Sequence, residues 1–67
     1  MDEKQLERLA ALEAALAEMA DGYDRIAAQL EEMRAQGKTK TATYQQLAAR
    51  KLALRTSLAF FEDRGLR

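Results

Sequence analysis

Residues 36–47 read QGKTKTATYQQL, and the fold turns on whether this stretch joins two helices or cradles a phosphate. Gly37 follows a long helical pattern and is a natural left-handed stop, with Arg34 and Lys38 near the negative end of the helix dipole. Thr43 and Gln46 then have the spacing of a capping box, which starts a second helix. The Gly37-Lys38-Thr39 triplet invites comparison with the nucleotide-binding loop GxxxxGK[ST], whose backbone amides surround phosphates while the hydroxyl holds magnesium. The first glycine of that loop would fall on Glu32, and the loop must follow a strand, whereas this triplet follows a helix. Residues 37–42 are therefore a turn between helices.

Upstream, Leu9, Leu12, Leu16, Met19, Tyr23, Ile26, Leu30 and Met33 recur at alternating intervals of three and four, an unbroken heptad seam. One helix over about residues 3–36 is predicted, with Asp2 as its N-cap and Gln5 completing a capping box. Asp21-Gly22 would elsewhere signal a turn. Here the seam keeps its register through it, so Gly22 is read as making room for a bulky neighbour. A break at Gly22, giving a three-helix bundle, is the alternative.

Downstream, Tyr44, Leu47, Lys51, Leu54, Leu58 and Phe61 form a matching seam over a helix of about residues 43–64. It closes at Gly65, after which Leu66 can press against Phe61 in a Schellman motif. Lys51 occupies a core position of the seam, where a lysine lays its methylenes along the groove and lifts its ammonium to the edge. Folding back at the turn sets Leu47 near Met33, Leu54 near Ile26, Leu58 near Tyr23 and Phe61 near Met19. The fold class expected is all-α, a single antiparallel helical hairpin over residues 1–67 with coiled-coil-like heptad packing.

One hairpin does not cover its own apolar surface. At 1.5 Å per residue the first helix is ~50 Å long and the second ~32 Å, so Leu6, Leu9 and Leu12 overhang. Leu52 and Phe60, with Ala42, Ala49 and Ala53, lie off the seam of the second helix. A chain of 67 residues builds a core worth only ~3–5 kcal/mol, and with no Cys and no His it has no disulfides and only carboxylates as strong side-chain metal ligands. The expectation is a homodimer of hairpins forming a four-helix bundle, with Leu6, Leu9, Leu12, Leu52 and Phe60 as candidate interface.

The formal net charge of zero hides a division. Residues 1–37 carry four basic and nine acidic side chains, and residues 38–67 carry seven basic and two acidic, so the halves are −5 and +5. Either the halves lie against complementary helices, or the second half meets an anion. Arg34, Lys38, Lys40, Arg50 and Arg55 are the candidate anion or nucleic-acid contacts. Lys40 is the informative one, because a cation before a helix opposes that helix's dipole. Against nucleic acid, Arg50, Lys51, Arg55 and Arg64 project in several directions, and the first helix is acidic.

No catalytic signature is legible. Asp21 pairs with Arg25 and Glu31 with Arg34 as helix-surface partners, which accounts for the adjacent carboxylates Asp21/Asp24 and Glu31/Glu32 without acid–base chemistry. Nothing sequence-local activates Ser57, the threonines, the tyrosines or the lysines as nucleophiles. No catalytic residue, cofactor or metal is expected. No apolar run exceeds four residues, so no membrane span is expected, and the acidic, polar start from Met1 to Gln5 reads as no targeting signal; the cytoplasm is the expected location.

The hairpin architecture resembles, in shape only, the repressor-of-primer helical hairpins, which dimerise into bundles and bind paired RNA loops; no recognition residues match. From Ala35 to Leu66, the GKTKT turn, the tyrosine-containing helix and the terminal Gly-Leu resemble the tail of small, functionally unassigned proteins of mobile genetic elements in anaerobic Firmicutes. That resemblance implies an accessory protein in a bacterial cytoplasm. Together these expectations favour a noncatalytic, oligomeric protein–protein interaction module, with an RNA- or DNA-binding regulator as the alternative.

Overall fold

The structure, a computed structural model, describes all of residues 1–67. Two α-helices pack against each other and there are no strands: α1 is Glu3–Ala35 and α2 is Ala42–Glu62. Asp2 starts α1 as a full capping box. The Gln5 amide donates to Asp2 Oδ1 at 2.8 Å, and the Asp2 amide donates back to Gln5 Oε1 at 3.0 Å. Two of the helix's orphan amides are thereby satisfied. α1 runs unbroken through Asp21-Gly22, which removes the three-helix alternative.

Both helices end alike. Gly37 and Gly65 have φ of 72° and 71°. The Lys38 amide donates to the Met33 carbonyl at 2.9 Å, and the Leu66 amide to the Phe61 carbonyl at 2.9 Å, the six-to-one bonds of Schellman motifs.

The start of α2 corrects the sequence reading. Thr41, not Thr43, is the N-cap: its Oγ1 accepts from the Tyr44 amide at 3.1 Å. The same hydroxyl donates to the Lys38 carbonyl at 3.0 Å, so Thr41 ties the α2 cap to the residue that closes α1. Thr43 lies two residues too late for that link and sits inside the first turn of α2.

The heptad seams are the packed face. Leu16, Ile26, Leu30 and Leu58 are buried, while Leu12, Met19, Tyr23, Met33, Tyr44, Leu47, Lys51, Leu54 and Phe61 are half-buried. Pairings along the hairpin run antiparallel. Arg34 meets Tyr44 near the turn, Lys51 lies over Tyr23 at mid-length, and Leu54 reaches Gly22, one turn beyond Ile26. A methyl added at Gly22 would meet Leu54 Cδ1 at 3.8 Å, an ordinary contact. The close approach expected of that glycine is therefore not required.

The molecule is a rod of 52 × 19 × 16 Å. Its long dimension is that of α1, and α2 is twelve residues shorter (33 against 21), so about 18 Å of α1 extends beyond it. No helix is long and apolar enough to cross a membrane.

Candidate interaction surface

The five cationic candidates do not share a face. Arg34 is engaged within the chain: its guanidinium donates to Tyr44 Oη at 3.1 Å and pairs with Glu31 at 2.9 Å. The hydrogen bond to Tyr44, then the charges of Tyr44 and Glu31, hold the Arg34 pKa above its ordinary value. Arg34 and Arg55 line one groove of the hairpin, together with Lys51. Arg50 lines a groove with Gly22, Arg25, Ile26 and Leu47 instead, on the other side of the interhelical seam. Lys38 and Lys40 are exposed at the turn and make no ion pair.

The apolar candidates are mostly exposed. Leu6 retains 53% of its surface, Leu9 40%, Leu52 63% and Phe60 51%, whereas Leu12 is half-buried. Leu52 and Phe60 are eight residues apart, about 80° around the helix. Phe60 has neighbours of its own. The Arg64 guanidinium lies 3.5 Å from its ring centroid, and the Phe61 ring meets it edge-on at 5.5 Å and 79°. The four-residue spacing of Phe60 and Arg64 was the available signal for that stack. For the Arg34–Tyr44 bond there was none, because it depends on how the turn closes.

The two sides of the interhelical seam differ. On one side, Asp24, Arg55, Ala59 and Glu62 line a groove that continues, through Arg55, into the groove of Ala48, Leu52 and Lys51. Ala20 lies there too, and Ala20, Ala27, Ala48 and Ala59 are the only half-buried alanines in the chain. Asp24 and Arg55 face the same groove without pairing: the ion pairs of the chain are Arg25–Asp21, Arg34–Glu31 and Arg67–Glu62.

All three grooves are shallow and open, no buried side-chain polar atom lacks a partner, and no group of three or more acidic side chains is arranged to hold a metal. No protein-family model matches the chain, and no curated protein or solved structure matches it either.

Proposed function

We propose that the chain is a noncatalytic helical interaction module of the cytoplasm that works as a homodimer, two hairpins uniting with coiled-coil-like packing into a four-helix bundle. One observation carries this reading. A lone hairpin of 7.5 kDa exposes 5347 Å², whereas a compact monomer of that mass would expose about 4,250 Å². The excess, about 1,100 Å² per chain or 2,200 Å² for two, lies within the range buried by obligate dimers. Only four residues are buried in the single chain, too few for a self-sufficient core. Phe60, lying away from the groove that holds Leu52, is then left as an aromatic anchor for a protein partner.

Sedimentation equilibrium tests the dimer directly. A mass twice that of the chain at micromolar concentration is the expected result; a species of 7.5 kDa that melts cooperatively at every concentration overturns the proposal.

A nucleic-acid regulator is the second reading, favoured by the two unpaired lysines at the turn, Lys38 and Lys40. It requires micromolar binding of an RNA or DNA duplex that falls steeply with salt and weakens in the Lys38→Gln/Lys40→Gln double variant. Binding unchanged in that variant removes the lysines from it.

A further inference from the structure

Self-association, argued above, leaves open which flank of the hairpin receives the second copy and in which direction. The geometry points to the flank that carries Asp24 and Arg55, with the two-fold axis parallel to the helices, so that Asp24 of each copy meets Arg55 of the other.

Two heptad-spaced rows border this flank. On α1 the row is Ala20, Asp24, Ala27 and Glu31; on α2 it is Ala48, Leu52, Arg55 and Ala59. Each repeats at intervals of four, three and four, the pattern that keeps a row on one side of a helix over several turns. The four alanines among them are already half-covered by the neighbouring helix, and all the other alanines of the chain are exposed. Small side chains beside the seam let a third and a fourth helix come close, and Leu52, 63% exposed, supplies the protruding side chain such a surface must bury. The opposite flank has fewer covered small side chains: of Gly22 and Ala28, which line its groove, only Gly22 is half-buried, and Arg25, Gln29 and Arg50 stand along it, with Arg25 already taken by Asp21 at 3.3 Å.

Charge selects the direction. Two hairpins can meet on this flank about a two-fold axis that runs across the helices or along them. An axis across the helices lays α1 on α1 and α2 on α2, setting the Asp24 and Glu31 row against its own copy and Arg55 and Lys51 against theirs. An axis along the helices lays α1 on the second copy's α2, antiparallel, and keeps every residue at its own height. Asp24 and Arg55 line the same groove and so share a height; each therefore lies level with the other's counterpart across the interface. Neither has an ion-pair partner within its own chain. The −5 and +5 halves then alternate around the bundle. Like charges held opposite one another disfavour the first arrangement and opposite charges favour the second. Both α1 overhangs, with Leu6 and Leu9, leave the bundle at one end, and both turns gather at the other.

Mixing two charge variants tests the pairing. Asp24→Arg alone sets Arg against Arg at both contacts, and Arg55→Asp alone sets Asp against Asp. Each is expected to dimerise roughly tenfold more weakly than the wild type. Equimolar mixing of the two variants puts opposite charges back at both contacts. It is expected to restore a heterodimer at near wild-type affinity, with helicity recovered by circular dichroism. If Asp24 and Arg55 matter only within one chain, mixing changes nothing, and the proposal fails.

Direction is read separately from a spin label at Lys4→Cys, a unique thiol in a cysteine-free chain. Labels within ~30 Å of each other support the axis along the helices; a separation near ~65 Å, twice the rise from mid-bundle to residue 4, overturns it. A wild-type chain that sediments as a monomer defeats the self-association itself, whereas a dimer with distant labels or unresponsive mixing defeats only this interface.

Discussion

At the scale of single residues, the three glycines have opposite meanings. Gly22 has ordinary helical surroundings and room for a methyl, so it carries only the propensity cost of glycine, about 1 kcal/mol. Gly22→Ala is expected to raise the melting temperature by about 4–8 °C, as followed by thermal circular dichroism. Gly37 also has open space around it, yet its φ of 72° lies where a Cβ is strained. Gly37→Ala is expected to lower stability by about 1 kcal/mol or more, so the two substitutions, chemically the same, move the melting point in opposite directions. Threonines separate in the same way. Thr41→Ala removes the cap of α2 and is expected to cost about 1 kcal/mol in denaturant titrations, while Thr43→Ala, at an exposed position inside the helix, is expected to be neutral or slightly stabilising.

At the scale of elements, the seam holds the helices together through few side chains. Leu58 is the one buried residue of α2. Leu58→Ala is expected to cost about 2–5 kcal/mol, comparable with everything a core of this size supplies, so the variant should show little helical signal at 25 °C. The Arg34–Tyr44 link near the turn behaves differently with pH. A base whose folded pKa is raised contributes fully below its unfolded pKa and loses that contribution only as pH rises through the folded value. For arginine both lie far into the alkaline range. The difference in melting temperature between the wild type and Arg34→Gln is therefore expected to be the same at pH 6 and pH 8.

What could be read in advance at this scale was whatever is local or periodic. The two seams, the Asp2–Gln5 box and the stops at Gly37 and Gly65 are set by spacing and by one residue's conformational freedom. The capping-box spacing of Thr43 and Gln46 points to the wrong threonine, because Thr41 has Tyr44 rather than Gln or Glu three residues on and is selected instead by the Lys38 carbonyl, which the end of α1 positions. The difference between the flanks was not visible for a related reason. A heptad row on either side of a seam is the same one-dimensional pattern, and only the folded hairpin shows which rows join across a groove.

At the scale of the whole molecule, a shared core links stability to concentration. If two chains fold only together, a tenfold rise in chain concentration is expected to raise the melting temperature by about 5 °C, measurable by scanning calorimetry over two decades. A melting point independent of concentration would mean the hairpin stands alone despite its four buried residues.

The unequal lengths of α1 and α2 also give the rod a gradient of firmness. Its firm end is the turn, where Met33, Lys38, Thr41 and Tyr44 are chained by hydrogen bonds. Beyond α2 the first helix has only its own turns to keep it wound, and a single helix of that length frays in water. Trypsin should therefore nick Arg8 long before Arg50, and how far a partner slows that first cut measures how much of the loose end it grips.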